Sequence, residues 1–174
     1  MIPGPRPSRA ASELTGPVAP PAAGRGALAA RPGPDGSRVM SHRCLLLADA
    51  HPDMLEAVRG LLAGRFTTTV MVADETSLLE VVGRIDPDVV VVDHSLAALR
   101  GVNVVRTLFS RYPGLRVIVL SVHDEQAAVS QVLGAGAAGF VLKRTAAVDL
   151  TTAVDAVLRG ETYVSAVLRS RAQD

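Results

Sequence analysis

Four polar residues stand at the ends of separate apolar runs and could together handle a phosphoryl group: Asp49, Asp93, Ser121 and Lys143. One carboxylate can attack phosphorus to form an acyl phosphate, and another can help to hold Mg²⁺. A hydroxyl can donate a hydrogen bond to a phosphate oxygen, and an ammonium can pair with that oxygen as a compact charge. Taken singly, each residue could equally be a strand end, a turn residue or a solvated charge. Their joint placement favours one anion-handling pocket.

The basic residues of the chain are almost all of one type. Lys143 is the only lysine, and the other seventeen of the 18 basic residues are arginines. The broad planar fork of arginine fits a small phosphate pocket poorly, whereas an ammonium is compact. The retained lysine therefore supports a specific role at this position.

The runs that carry these residues have the length and composition of β-strands. They are CLLLA (44–48), TTTVMV (67–72), VVVVD (89–93), VIVLS (117–121) and GFVLK (139–143). Four of them lack polar alternation, which predicts strands covered on both faces. The mixed run TTTVMV suits an edge.

Helical spacing of apolar residues fills each interval between the strands. The predicted helices begin at Pro52 and end at Gly64, then cover Thr76–Arg84, Val102–Arg111, Glu125–Leu133 and Val148–Arg159. Strict alternation of five strands and five helices predicts an α/β fold, a five-stranded parallel sheet with helices on both faces and right-handed crossovers. Ligand chemistry in such sheets gathers at the carboxyl ends of the strands, where the four polar residues stand.

Four stretches in order resemble the receiver domain of response regulators. LLLADAHPDMLEAV resembles its first strand and helix, and VVVVDHSLAALRG its phosphoacceptor strand and the following loop. VIVLSVHDE resembles the fourth strand, and GAGAAGFVLKR the motif before the fifth-strand lysine. The HP dipeptide and GETYVSAVL are similar to receivers that precede a LuxR-type helix-turn-helix. The resemblance covers residues 43–168 and implies a flavodoxin-like sheet of order 2-1-3-4-5.

The resemblance also implies a role for each site residue. Asp93 would accept the phosphoryl group from a sensor histidine kinase or phosphotransfer protein. Asp49, Asp93 and the backbone carbonyl of Ser95 would hold Mg²⁺. Ser121 would bind the new phosphate and move with it, and Lys143 would pair with a phosphate oxygen.

Switching and tuning roles follow from the same resemblance. Phe140 would be the aromatic switch residue, and the side chains of Ser95 and His123 would tune dephosphorylation. The switch face would comprise the fourth helix, fifth strand and fifth helix, namely residues 126–133, Phe140 and residues 148–159. It would bind a downstream protein or a second copy in a homodimer.

The chain departs from the family pattern in the metal site. The family has two adjacent acids after the first strand, whereas Asp49 is followed by Ala50. Losing an anionic oxygen ligand should weaken Mg²⁺ binding. Asp53 lies a helical turn further on and is expected to point to solvent. Ala50 therefore motivates an alternative, a receiver-like interaction or dimerisation module that does not depend on phosphorylation.

Smaller departures lie nearby. Ala97 replaces a proline in the loop after the acceptor, and His94 replaces a hydrophobic residue. We interpret His94 as structural and His51 as a packing position. His42 and His51 have no ligand-spaced partners, so a transition-metal site is not expected.

Enzyme classes are disfavoured by missing motifs. The sequence has no GxxxxGK loop, no GxGxxG after the first strand and no GxSxG elbow. The second aspartate of haloacid-dehalogenase phosphatases is absent after Asp93. We therefore expect a signalling protein rather than an enzyme.

Composition bounds the partners and the domain organisation. The net charge of +1 gives no nucleic-acid footprint, no run is long enough to cross a membrane, and the single cysteine, Cys44, fits a reducing cytoplasm. Residues 1–39 hold eight of the eleven prolines, which predicts a disordered tail, and Met40 is a second candidate start. We expect the receiver domain over residues 40–160 and a tail or short helix over residues 161–174. The fourteen residues after Gly160 are too few for a helix-turn-helix.

Overall fold

A computed structural model describes residues 43–98 and 103–171 of the chain. The predicted tail over residues 1–39 lies outside this part. Within the described residues, no helix has the length and apolar character that crossing a membrane requires.

All the strands of the sheet run parallel, in the order β2-β1-β3-β4-β5-β6. Their bounds are Cys44–Ala48 for β1, Thr68–Val72 for β2, Val89–Asp93 for β3, Arg116–Ser121 for β4, Gly139–Leu142 for β5 and Tyr163–Val164 for β6. The order 2-1-3-4-5 is confirmed, and β2 lies at the edge as its mixed sequence predicted. The sixth strand was not predicted.

The helices occupy the intervals between strands. Their bounds are Pro52–Leu61 for α1, Glu75–Ile85 for α2, His94–Ala98 for α3, Asn103–Arg111 for α4, Gln126–Gly134 for α5, Ala146–Leu158 for α6 and Ala166–Arg171 for α7. The segment after Asp93, expected as a loop, contains the short helix α3. The predicted fourth and fifth helices are therefore α5 and α6.

Local sequence explains where these helices begin. Pro52 lies in the first turn of α1, where its missing N–H costs no hydrogen bond. The Asp74 side chain caps α2 by accepting a hydrogen bond of 2.8 Å from the backbone N–H of Ser77. Lys143–Thr145 forms one 3-10 turn between β5 and α6, so the site lysine begins this turn.

Two apolar layers cover the two faces of the sheet. One layer packs α2, α3, α4, α5 and α7 against the strands and includes Leu78, Leu108 and Val132. The other packs α1 and α6 and includes Val58 and Leu150. The valine-rich strand β3 is buried along its whole length between them, as continuous apolar runs predict for a central parallel strand.

The C-terminal segment continues the sheet. Tyr163 and Val164 of β6 pair with Gly139 and Phe140 of β5, and Leu168 of α7 is 2% exposed. The segment expected to be a tail or short helix therefore includes both a helix and a strand that closes the β5 edge. Two residues make too short a run to identify as a strand from sequence.

Candidate functional site

The carboxyl ends of strands β1, β3, β4 and β5 lie side by side at one edge of the sheet. In the register, Asp93 of β3 pairs with Leu120 of β4, and Ser121 pairs with Leu142 of β5. Asp49 directly follows β1, and Lys143 directly follows β5. The predicted residues therefore share one edge because the strands on which they lie end together.

Three of the four side chains meet in one ion-paired cluster. The Lys143 Nζ lies 2.7 Å from Asp93 Oδ1 and 2.9 Å from Asp49 Oδ2. Both aspartates are 3% exposed, and the Lys143 side chain is 14% exposed. Two carboxylates and one ammonium leave the cluster with a net charge of −1. We call Asp49, Asp93 and Lys143 the triad.

The ion pairs favour the charged forms of Asp49 and Lys143. Burial alone would raise the pKa of Asp49, but hydrogen bonds from Lys143 and from the backbone and ring of His51 lower it overall. Burial alone would lower the pKa of Lys143, but the bonds to Asp93 and Asp49 raise it overall. Opposite charges at short range outweigh desolvation here.

The floor beneath the carboxylates is apolar. A small pocket against Asp49 and Asp93 is lined by side chains of β1, α1, β3 and β4, including Met54, Leu55 and Leu120. Charge–charge interactions are stronger above such a low-dielectric floor than in open water. The ion pairs of the two carboxylates with Lys143 are strengthened accordingly.

Ser95 holds the second oxygen of the acceptor. Both its backbone N–H, at 3.1 Å, and its hydroxyl donate to Asp93 Oδ2. The short helix α3 is what brings Ser95 back toward the strand end. The predicted Mg²⁺ contact of the Ser95 carbonyl stays a prediction.

The two predicted switch residues are both completely buried. The Ser121 hydroxyl accepts a hydrogen bond of 3.0 Å from the backbone N–H of His123, so it engages the loop after β4 rather than the triad. Phe140 packs in the same apolar layer as Leu168 of α7. The structure thus shows Phe140 in an inward position.

His51 differs from its sequence interpretation, whereas nothing contradicts that of His94. His51 was expected to pack, and this is wrong: its side chain is 71% exposed, and its Nδ1 lies 2.8 Å from Asp49 Oδ1. Its backbone N–H also donates to that oxygen. His94 is half-buried, with its ring edge-on to that of His123 at 5.5 Å, and burial lowers its pKa, helped by His123. The signal for His51 was its position two residues after a strand-end acid.

The residues fit a divalent cation in part. Asp49 and Asp93 supply two carboxylates, whereas residue 50 offers only a methyl group and Asp53 is exposed. One carboxylate oxygen from each of the two aspartates and one ring nitrogen of His51 lie within 4.8 Å of one another. Two acids can hold Mg²⁺, but with one anionic ligand fewer than the family pattern provides.

A buried polar network that the sequence analysis missed lies next to the triad. The Asp149 carboxylate, 6% exposed, accepts hydrogen bonds from the hydroxyls of Tyr163 at 2.9 Å and Thr145 at 2.6 Å. The Ser165 hydroxyl accepts from the backbone N–H of Leu142 and lies 3.3 Å from that of Thr145. These hydrogen bonds link β6 to the turn that begins at Lys143. Its members have no regular spacing, so the sequence gives no signal for it.

Comparison with known proteins fits this geometry. The family model of the response regulator receiver domain matches residues 45–155. The chain belongs to the response-regulator receiver family. Receiver domains are the signalling domains of two-component systems, which agrees with the site at the strand ends.

The relatives are transcriptional regulators that are longer than this receiver. It is 34% identical over 122 residues to the transcriptional regulatory protein DegU of Brevibacillus brevis, covering 69% of this chain and 52% of DegU. It is 32% identical over 123 residues to the probable transcriptional regulatory protein NarL of Mycobacterium tuberculosis, covering 70% and 57%. The receiver thus spans little more than half the length of the curated relatives it matches.

Solved receiver structures share the fold. The isolated REC domain of RcsB from Salmonella enterica serovar Typhimurium, in the apo form, matches with a TM-score of 0.67 and 26% identity, over 76% of this chain and 99% of that one. A LuxR-family two-component response regulator from an Aurantimonas species matches with a TM-score of 0.68 and 26% identity, over 75% and 94%. The resemblance to LuxR-family receivers is therefore confirmed.

Proposed function

We propose that this receiver takes a phosphoryl group onto Asp93 from the phosphohistidine of a sensor kinase or phosphotransfer protein, in the cytoplasm. The observation that carries the proposal is the contact of Lys143 with both Asp93 and Asp49. It places a buried nucleophilic carboxylate beside a compact cation that can follow the arriving charge.

The transfer exchanges one bond to phosphorus for another. An oxygen of the Asp93 carboxylate attacks phosphorus, the N–P bond of phosphohistidine breaks, and the imidazole keeps the electron pair. Lys143 is within reach of the new phosphoryl oxygens because its Nζ already lies 2.7 Å from Asp93 Oδ1. Ser95 holds the other carboxylate oxygen and so orients the attacking group.

A divalent cation held by Asp49, Asp93 and the Ser95 carbonyl would supply further positive charge at the phosphoryl oxygens. The triad alone carries a net charge of −1, which repels an anionic donor. A bound cation would therefore offset this negative charge and reduce the repulsion of the donor.

Switching follows from the buried positions of Ser121 and Phe140. Phosphorylation adds about −1.5 to −2 charge at the strand ends, and the Ser121 hydroxyl can leave the backbone of His123 to bind it. Such a shift changes the face formed by α5, β5 and α6, which we propose binds a downstream protein or a second copy. Val148 on α6 is 80% exposed and gives this face an apolar contact point.

A second candidate is a receiver-like interaction module that does not depend on phosphate. Ala50 favours it, since the metal site has lost an acid. The internal pairing of both carboxylates with Lys143 favours it as well, because the ammonium already neutralises part of their charge without an added cation.

The experiment is phosphorylation by acetyl phosphate with millimolar Mg²⁺, followed by intact mass spectrometry. We expect a mass increase of one phosphoryl group that disappears in Asp93→Asn and persists in Asp53→Asn, the exposed acid nearby. Beryllium fluoride with Mg²⁺ should shift the amide resonances of α5 and β5. An unchanged mass together with unchanged resonances would favour the phosphate-independent module.

A further inference from the structure

The cation site of this receiver has an imidazole where a carboxylate is missing. Ala50 offers no ligand, but the His51 ring reaches back and contacts Asp49 at 2.8 Å. A ring nitrogen of His51 and oxygens of Asp49 and Asp93 form a mixed donor group within 4.8 Å. Two of its three members are buried carboxylates, and each already pairs with the Lys143 ammonium through one oxygen.

We propose that His51 is a metal ligand, so that the site binds a first-row transition ion such as Zn²⁺ more tightly than Mg²⁺. The proposal deepens the proposed function, because it names the cation that would serve phosphorylation. The binding itself needs no phosphoryl donor and can be measured alone.

Metal binding requires side-chain movement. Two donor atoms at about 2.0–2.2 Å from a tetrahedral ion lie about 3.3–3.6 Å apart. The three donor atoms lie within 4.8 Å of one another, so the side chains must approach one another by up to about 1.5 Å. The His51 side chain is 71% exposed, so its ring can turn without disturbing the core.

The donor chemistry decides which ion is favoured. Imidazole suits Zn²⁺, Ni²⁺ and Cu²⁺, whereas Mg²⁺ requires oxygen ligands in near-ideal octahedral geometry. Replacing an oxygen donor by a nitrogen donor therefore weakens the site for Mg²⁺ more than for Zn²⁺. The sequence predicted no transition-metal site because His42 and His51 have no ligand-spaced partners, whereas the fold brings Asp93 close to His51 and Asp49.

Lys143 binds the same two carboxylates but leaves one oxygen of each for an ion. Its Nζ occupies one oxygen of each, which leaves Asp49 Oδ1 and Asp93 Oδ2 on the sides of His51 and Ser95. An ion bound through these oxygens would replace the hydrogen bonds from His51 and Ser95 rather than the ion pair. His51 would exchange its contact with Asp49 for a bond to the metal.

The test is isothermal titration calorimetry of the untagged chain with ZnCl₂ and with MgCl₂, without a phosphoryl donor. We expect Zn²⁺ to bind at least about 10-fold more tightly than Mg²⁺. His51→Ala should weaken Zn²⁺ by about 10-fold or more and leave Mg²⁺ within about 2-fold. His42→Ala, which removes a histidine outside the donor group, is the matched control and should leave both affinities unchanged.

A second readout identifies the ligands directly. Co²⁺ bound to the chain should give visible absorption bands that move when His51 is replaced and vanish in the Asp49→Asn, Asp93→Asn double variant. Equal affinities for Zn²⁺ and Mg²⁺, or a His51→Ala chain that keeps full Zn²⁺ affinity, would overturn the proposal. Zn²⁺ binding through His51 in a chain that acetyl phosphate does not modify would keep this inference and reject the proposed function.

Discussion

The Nζ of Lys143 lies between the carboxylates of Asp93 and Asp49, at 2.7 Å and 2.9 Å, and it is the only lysine nitrogen in the chain. The ammonium thus pairs with two buried acids at once. Replacing Lys143 should therefore remove an ion pair from each of them.

Lys143→Met is expected to raise the pKa of Asp49, which the ion pair now holds below its ordinary value. Two neighbouring buried carboxylates without a cation disfavour double ionisation. Stability at neutral pH should fall by about 1–3 kcal/mol, since charged acceptors lose their donor. ¹³C NMR titration of the Asp49 carboxyl carbon and denaturant unfolding check both effects.

Lys143→Met, Asp93→Asn is the control for that variant. Removing one of the two acids should return the Asp49 pKa toward its ordinary value. An unchanged Asp49 titration in the single variant would contradict the account of the triad.

Ala50→Asp is expected to tighten Mg²⁺ binding by about 10-fold, because it restores an anionic oxygen donor beside Asp49. Residue 50 is exposed, so the larger side chain does not disturb the buried core. Titration calorimetry with MgCl₂ measures the change. Ala50→Asn, which adds a neutral oxygen of similar size, should give a smaller gain; equal gains would show that charge is not the missing factor.

The Tyr163 hydroxyl should lose its proton at a higher pH than an ordinary tyrosine does. Burial raises the pKa of Tyr163 to about 12, and the charged Asp149 adds to the rise. The unfolded value is near 10, so this group contributes stability that is fully present below pH 10 and is lost as the pH rises through 12. In Tyr112→Phe, which leaves Tyr163 as the only tyrosine, tyrosinate absorbance should appear with a midpoint near 12. A midpoint near 10 in the folded protein would mean that the hydroxyl does not meet Asp149.

Gly136→Ala should destabilise the domain by more than about 1 kcal/mol. Gly136 has φ of +107°, and a Cβ there would lie 2.5 Å from the ring of Phe109. Gly134→Ala is the matched control, since it meets nothing within 4 Å and ends α5. We expect its effect to be within about 1 kcal/mol. Equal unfolding midpoints for the two variants would exclude the steric explanation.

Long uniform patterns made most of the fold predictable. Continuous valine runs identified β3 and β4 within a residue, and a polar residue at the end of each run identified Asp93 and Ser121. These features are local, and the parallel topology places their carboxyl ends together.

The parts that were not predicted depend on contacts between distant residues. Asp149 is an ordinary helix acid in the sequence, and only folding brings it to Tyr163 and Thr145. The two-residue strand β6 exists because it pairs with β5, and His51 contacts Asp49 because the chain turns between them. No periodicity encodes such contacts.

Because β6 pairs with β5, the two edges of the sheet differ in how readily a further strand can add to them. β2 runs for five residues with one neighbour, and its outer backbone groups are not used in the described sheet. The opposite margin ends in a strand of two residues, too short to template a further chain. A partner that approaches beside β5 must therefore recognise side chains of the flanking helices, whereas in the sheet formed by residues 43–98 and 103–171 backbone-to-backbone addition is open at β2.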